Sequence, residues 1–450
     1  MRIAMLSPIA WRTPPRHYGP WEKIASLLTE ALVGLGHDVT LFATGDSITH
    51  STLRAVCTQG YEEDSNIIPK VYECLHISEL FDHAEEFDII HNNFDFLPLT
   101  YSGFTNTPVV TTIHGFSSPG ILPVYRKYNK KTFYVSISDA DRADALDYID
   151  TIHHGIDIKE FHFQPDPEDY LLFFGRLHPD KGAKEAIEIA RACDRRLIMA
   201  GIIQDSVYFN DYIQPFIDDA SVVYLGSVGP EKRNKLLGKA YALLHPINFN
   251  EPFGLSVIEA MACGTPVIAN NRGSMPELIR DNQNGFLVSG THEAIGAVER
   301  IRDIDREFCR RTVMDHFTID RMVKKYIRVY EQIMETTRRE DHRPWGFYQI
   351  LSDENAVKNK KIVVYPGKRI SLQRHRYRDE HWYIVSGKGM WTLGDKTVPV
   401  TAGQSFDIPR KSIHRIENSG QDNLVFMEIQ TGDYFGEDDI ERLADDFGRI

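Results

Sequence analysis

The chain has 450 residues, more than one hydrophobic core usually encloses, so two or three domains are expected. Its 42% hydrophobic and 26% charged residues are those of an ordinary folded protein and exclude long disorder. With 64 acidic against 51 basic side chains, a net charge of −13, it lacks the cationic excess that a nucleic-acid partner requires.

In chain order, RIAMLSP reads as an apolar strand, followed by an amphipathic helix over residues 21–35 and a second strand, DVTLFAT, over 38–44. Strand, helix, strand is the opening of a doubly wound α/β unit. Between the first strand and the helix, WRTPPRHYGPWE carries Gly19, which has a permissive backbone, and Pro20, which suits a first helical position. Further strands are predicted at FDIIHNN (87–93), PVVTTIHG (108–115) and TFYVSIS (132–138). Their near-continuous apolar character fits a parallel sheet covered on both faces. FQPDPED (163–169), rich in proline and acid, reads as a linker.

A second alternation follows, with strands at YLLFFGRL (170–177), RLIMAGI (196–202), VVYLGSV (222–228), YALLHPI (241–247) and PVIAN (266–270). Helical patterns over 305–337 close it. After RREDHR (338–343) the texture changes to short strands separated by YPGK, SGKG, LGDK and NSGQD, which reads as an all-β barrel or sandwich. The expected domains are 1–165, 166–338 and 339–450. Met1 leads directly into a strand, no apolar run reaches the roughly 20 residues a bilayer demands, and the five cysteines are scattered singly. A cytoplasmic location without a transmembrane segment is expected.

The stretch EPFGLSVIEA (251–260) follows an apolar strand and opens a helix, which sets helix N-terminal amides at the carboxyl end of a buried strand. Gly254 lets a phosphate approach the backbone, and the amides of Gly254 and Leu255, just after Phe253, suit a diphosphate together with the helix dipole. Glu251 precedes this anion site and Glu259 lies inside the helix. Carboxylates flanking phosphates fit sugar hydroxyls, although a surface glutamate and an exposed helix residue explain them equally on residue grounds alone. Arg176 and Lys181, in GRLHPDKG directly after a strand, would point at the same anion site. His114 ends an apolar strand, where it either donates to a sugar hydroxyl or is satisfied by local backbone. These groups are expected in a water-exposed cleft, so that removing Glu251 or Lys181 costs about 1 kcal/mol or less of stability.

The stretch resembles the glutamate, seven residues, glutamate motif of family-four retaining glycosyltransferases, and the likeness continues through MACGTPVIANNRGSMPELIRDNQNGFLV (261–288), FFGRLHPDKG (173–182) and VVTTIHGF (109–116). The resemblance implies an α/β GT-B fold of two Rossmann-like domains and retaining transfer of a hexose from a nucleotide-diphosphate sugar to a sugar or glycan acceptor. It implies that Glu251 faces the donor sugar, that Glu259 holds the ribose and that His114 lies close to the transferred sugar. Gly19, Arg176, Lys181, Phe253, Gly254 and Leu255 would surround the donor's phosphates, with no metal needed. Many relatives carry two adjacent glycines where this chain has Gly19 followed by Pro20.

In the third domain Gly367, Gln373, His375, Glu380 and Gly387 fall at the intervals of the first cupin motif, and Gly403, Pro409, His414 and Asn418 at those of the second. Strand alternation puts Gln373 and His375 on one inward face. With Glu380 and His414 they make a mixed nitrogen and oxygen set that suits Zn, Fe(II), Mn or Ni, the alternative being a polar barrel interior without metal. RPWGFYQIL, SLQRHRYRDEHWYIVSGKG, IPRKSIHRIEN and EIQTGDYFGEDDIERLADDFGR, spanning 343–449, resemble the cupin (jelly-roll) domain of type II mannose-6-phosphate isomerases. That likeness implies a divalent metal, Zn favoured, on Gln373, His375, Glu380 and His414, a sugar phosphate as ligand, and an activity-associated arginine at Arg415.

Mannose is the thread common to both parts, so GDP-mannose is the favoured donor and UDP-glucose the alternative. Two other readings stay open: a non-catalytic cupin that binds sugar or forms a homodimer, and a phosphorylase that uses inorganic phosphate.

Overall fold

The computed structural model describes residues 1–115 and 119–448. Phe116, the last residue of VVTTIHGF, and Arg449, the last of the cupin ending, lie outside the described residues. The chain forms two compact units, Met1–Glu331 and Gln332–Ile450.

The first unit contains two parallel sheets. The first comprises β1 (Arg2–Leu6), β2 (Asp38–Phe42), β3 (Thr52–Arg54), β4 (Ile89–Asn92), β5 (Val109–Ile113), β6 (Phe133–Ser136) and β7 (Tyr148–Thr151), in the order β3-β2-β1-β4-β5-β6-β7. The second comprises β8 (Tyr170–Phe174), β9 (Arg196–Ala200), β10 (Val222–Tyr224), β11 (Ala242–His245), β12 (Val267–Asn270) and β13 (Gly285–Val288), in the order β10-β9-β8-β11-β12-β13. Burial explains the pattern. Ile3, Ala4, Met5 and Leu6 are all buried in succession, as are Ala242, Leu243 and Leu244, and only helices on both faces of a sheet can cover consecutive residues. In both sheets the strand order reverses beside the first strand, between β1 and β4 and between β8 and β11. Loops leaving the carboxyl ends of those strand pairs therefore diverge and open a crevice.

One element departs from the expected domain assignment. The helix Ile319–Arg339 falls in the sequence after the second sheet, yet its buried tyrosines bond to the first sheet. Tyr330 Oη lies 2.6 Å from His91 Nδ1 on β4, and Tyr326 Oη lies 2.8 Å from Thr112 Oγ1 on β5. The buried face of Met322, Val323, Tyr326, Val329 and Tyr330 has helical spacing and is legible in the sequence. Which sheet accepts that face is a tertiary matter. The crossing back occurs at Phe317 and Thr318, where Ile156 N donates to Phe317 O at 3.0 Å beside the first crossing of the chain.

The second unit contains two antiparallel sheets. Its strands are β14 (Glu340–Arg343), β15 (Gly346–Glu354), β16 (Val357–Val364), β17 (Leu372–His375), β18 (Arg378–Ser386), β19 (Lys388–Leu393), β20 (Lys396–Thr401), β21 (Ser405–Ile408), β22 (His414–Asn418), β23 (Leu424–Gly432) and β24 (Ile440–Ala444). They are ordered β14-β15-β16-β23-β18-β21 and β20-β19-β22-β17-β24. Trp382, Ile384, Ile416, Leu424 and Phe426 fill the space between the sheets, each from an inward position of an alternating strand. The unit begins within a helix, at Gln332, where no shift in composition marks it.

Candidate functional site

A cleft of about 1830 Å³ opens between the two sheets of the first unit and takes lining from both halves. Its second-half wall is built from loops at the switch point. Arg176 and Lys181 follow β8, and the segment that carries Glu251 follows β11. The helix Leu255–Ala262 starts at Gly254, whose φ of +95° is a backbone conformation that L side chains rarely adopt. Gly273 also admits a close approach: a Cβ there would meet Glu251 N and O at 2.4 Å, so the Glu251 loop is clamped by backbone.

Glu251 is a buried carboxylate rather than a water-exposed one. It is 8% exposed, it pairs with Lys181 Nζ, and His245 Nε2 lies 3.4 Å from Oε2. Burial alone would raise its carboxyl, but the Lys181 charge and the His245 contact outweigh it and hold the group at about 2. The expectation that Glu251 and Lys181 are water-exposed is thereby corrected. Arg176 lines the cleft and donates to Gln204 Oε1. Glu259, 4% exposed, accepts from Lys23 Nζ at 2.7 Å and lies 3.5 Å from Arg233 Nη1. Burial would raise its carboxyl as well, and the Lys23 and Arg233 charges hold it down.

The first-half wall carries Gly19, with φ of +144° at the start of the helix Pro20–Gly34, and His114 after β5. His114 is buried, with Nε2 3.0 Å from Asn93 Oδ1 and Nδ1 3.3 Å from His154 Nε2, and Trp21 stacks on its ring at 5.6 Å. Burial pushes the imidazole down to about 3, so it is neutral at ordinary pH. Phe253 packs edge-on to His154 at 5.0 Å and thus brings the anion loop to the first half. Glu22 also lines the cleft, accepts from Trp11 N at 3.3 Å and, by burial, has its carboxyl raised to about 7.

In the second unit His375, Glu380 and His414 come together in the interior, at 2%, 3% and 0% exposure. Their ligand atoms all lie within 4.8 Å of one another. His375 Nε2 is 3.1 Å from Glu380 Oε1, and His414 Nε2 is 3.5 Å from Glu380 Oε2. His414 Nδ1 lies 2.9 Å from Ser412 O, while buried Nε2 has no hydrogen-bond partner and faces the carboxylate. That is the arrangement a metal-binding imidazole takes, with one nitrogen fixed by a carbonyl and the other left to the ion. Gln373 pairs in register with His414 and sets its amide 3.4 Å from His375 Nε2. A half-turn of that amide would present its oxygen instead. The donor set therefore fits a divalent ion.

Sequence reasoning missed the groups that surround these residues. Arg378 is 2% exposed and donates to Glu380 Oε1 at 3.0 Å, while Trp382 Nε1 and Gln430 Nε2 bridge Glu380 and Glu428. Burial and the neighbouring Glu380 charge push the Glu428 carboxyl up. Strand alternation from Glu380 picks out Arg378 and Trp382 as inward, a signal available in RDEHW. Lys23 and Arg233 had no such signal, because their partner Glu259 belongs to another part of the chain. Arg415 is not brought to the cluster. It follows His414 on β22, so it faces the other side of the sheet, and its guanidinium donates to Ile370 O and Ala444 O at 3.1 Å each.

The Glycosyltransferase Family 4 model matches residues 22–160, Glycosyl transferases group 1 matches 156–311, and Mannose-6-phosphate isomerase C-terminal matches 331–445. The alginate biosynthesis protein AlgA of Pseudomonas aeruginosa is 48% identical over 110 residues, which are 24% of this chain and 23% of that protein. The chain thus spans about a quarter of the length of the curated relatives it matches. Sucrose-phosphate synthase from Thermosynechococcus elongatus covers 74% of this chain and 99% of its own, at 20% identity and a TM-score of 0.62. Anabaena Alr3699/HepE, solved with UDP and glucose, covers 74% and 99%, at 19% identity and a TM-score of 0.59. The first unit shares their fold, the GT-B arrangement of two facing Rossmann-like halves. No helix among the described residues is long and apolar enough to cross a membrane.

Proposed function

This chain joins the two halves of a glycosyltransferase to a mannose-6-phosphate isomerase C-terminal domain, and from that premise we propose a bifunctional enzyme of mannose chemistry. The first unit transfers a hexose from a nucleotide-diphosphate sugar, GDP-mannose by preference, to a sugar or glycan acceptor held on the first-half wall. The observation that carries this reading is the convergence of Arg176, Lys181, Glu251 and the first amides of the helix Leu255–Ala262 at one switch point inside the cleft. Glu251 binds hydroxyls of the donor sugar, and Glu259 binds the ribose. Neutral His114 gives up its longer 3.3 Å contact with His154 to turn Nδ1 to the transferred sugar, while Asn93 holds Nε2 and Trp21 fixes the ring plane.

In the transfer, the bond from the anomeric carbon to the phosphate oxygen breaks and the diphosphate leaves with the electron pair. Arg176, Lys181 and the amides of Gly254 and Leu255 stabilise its growing charge. The acceptor oxygen bonds to the anomeric carbon on the face that the diphosphate leaves, and its proton passes to a departing phosphate oxygen. The configuration is retained without a covalent sugar adduct, since Glu251 is held by Lys181 and Glu259 is engaged with the ribose beside Arg233.

In the second unit His375, Glu380, His414 and Gln373 would hold a divalent ion, Zn by preference. When bound, it supplies Lewis-acid polarisation of a sugar oxygen. Arg378 orients the Glu380 carboxylate, and the Ser412 carbonyl holds His414 with Nε2 directed inward. The activity proposed is interconversion of mannose and fructose 6-phosphates. Exposed Tyr383, Val385 and Ile429, on the neighbouring strands β18 and β23, support a homodimer formed through this unit. The free cysteines accord with a reducing cytoplasm.

A second reading, a UDP-glucose-dependent transferase with a non-catalytic cupin, is favoured by the UDP and glucose bound to the Anabaena protein. A thermal-shift screen of GDP, UDP, GDP-mannose, UDP-glucose and hexose 6-phosphates tests both. A ligand at a hundred times its dissociation constant stabilises the fold by about 2.7 kcal/mol. A shift with GDP-mannose and not UDP-glucose supports the first reading, the reverse supports the second, and no shift with any nucleotide refutes the transferase.

A further inference from the structure

The carboxylate proposed for the ribose already has an ammonium on it. Lys23 Nζ donates to Glu259 Oε1 at 2.7 Å, from a side chain only 18% exposed onto one 6% exposed. Lys23 belongs to the helix Pro20–Gly34 of the first half, and Glu259 to the helix Leu255–Ala262 of the second. The pair is therefore made across the cleft, which both residues line. A hydroxyl donating to the same oxygen would compete with that ammonium.

Two further observations describe what would stay in place if the hold were released. Arg233 Nη1 lies 3.5 Å from the same oxygen, and Arg233 Nε is buried without a hydrogen-bond partner, so a cation with spare donor capacity stays beside Glu259. A buried carboxylate left alone would be costly; this one is not left alone. The halves also remain tied elsewhere. Glu277 of the second half accepts from Asp139 N at 3.0 Å, Ala140 N at 2.9 Å and His153 Nε2 at 2.7 Å, all in the first-half segment.

We propose that Lys23 is a positioning residue of the nucleotide subsite, one that holds Glu259 across the cleft and yields it to the ribose diol. Binding of a ribonucleoside diphosphate and release of the Lys23–Glu259 bond across the cleft are then a single event. The inference rests on the reading of this cleft as a nucleotide-sugar site. It also sets a requirement on the ligand: only a nucleotide that carries a ribose hydroxyl competes with the ammonium for Glu259.

Calorimetric titration of the full chain with GDP and UDP, and with their 2′,3′-dideoxy forms, tests it in the unaltered protein and in K23M, K23Q and K23R. A hold made roughly nine-tenths of the time masks affinity about tenfold. K23M and K23Q are expected to raise the ratio of ribonucleotide to dideoxynucleotide affinity by about that factor, and K23R to restore the original ratio. Using the ratio cancels the loss of one positive charge near the phosphates. With the nucleotide sugar as substrate, KM should fall in K23M and kcat should not rise. Thermal unfolding of each variant reports any purely structural loss separately. Binding by the unaltered protein with an unchanged or lowered ratio in both K23M and K23Q overturns the inference alone. No binding of either ribonucleotide by the unaltered protein overturns the transferase reading, and the inference with it.

Discussion

Lys181→Met tests how the Glu251 carboxylate is kept ionised inside the protein. Glu251 is 8% exposed and its carboxyl stands at about 2 against an ordinary 4.5, a difference worth about 3 kcal/mol at neutral pH. Removing the Lys181 ammonium leaves that charge with His245 Nε2 at 3.4 Å and little else. Truncating one partner of a buried pair costs about 3–5 kcal/mol, so the first unit's melting temperature should fall by roughly 5 °C or more in K181M. Glu251→Gln removes the charge itself and should cost less. In the double variant K181M/E251Q no charge is left unpaired, so much of the K181M loss should return, which gives a coupling of about 2–3 kcal/mol. The pH dependence has a fixed sign. A carboxyl with a lowered folded value contributes stability that is complete above about 4.5 and lost as pH falls toward about 2. The K181M deficit should accordingly shrink in acid. Denaturant unfolding of the four proteins at pH 7 and pH 4 measures all of this. A K181M loss under about 1 kcal/mol, or strictly additive losses in the double variant, would refute the argument.

The carboxyl of Glu22 has the opposite sign. Burial raises it to about 7, so the folded state binds its proton more tightly than the unfolded state and stability falls as pH rises from about 4.5 to about 7. Glu22→Gln should gain on the unaltered protein across that window by about 2–3 kcal/mol; a difference that does not change with pH would remove the buried acid from the account. One divalent ion per chain is expected by elemental analysis, lost in His375→Ala and in His414→Ala. Chelation should silence the isomerase and spare glycosyl transfer, so equal loss of both activities would contradict a metal-free transferase. Arg415→Ala is expected to leave metal content unchanged, because its guanidinium bonds the Ile370 and Ala444 carbonyls; loss of the ion would contradict that placement. NMR of the first-formed product should show the donor's anomeric configuration, and an inverted product or a stable sugar adduct on Glu251 or Glu259 would end the proposed mechanism.

The sequence by itself determined the architecture, because strand and helix periods and the burial they demand are local properties. Alternating apolar strands and amphipathic helices over the first part, then short strands with turn signals, are enough to specify two parallel sheets and a β-sandwich. Inward faces are equally local, so His375 could be read as inward with Gln373 by alternation, while Glu380 and His414 were implied by the resemblance to the cupin motifs, before any contact was known. The carboxylate pairings were a different kind of fact. Lys181 and Glu251 are 70 residues apart, and Lys23 and Glu259 are 236 apart, so no pattern along the chain relates them. Only packing of the loops after β8 and β11 within the second half, and closure of the two halves across Lys23 and Glu259, decide that these charges are buried and paired rather than solvated. The same holds for the helix Ile319–Arg339, whose tyrosine face is written in the sequence but whose partners His91 and Thr112 are not. Periodicity states which face of an element must be covered, whereas the covering surface comes from residues distant in the chain and exists only once the fold has formed.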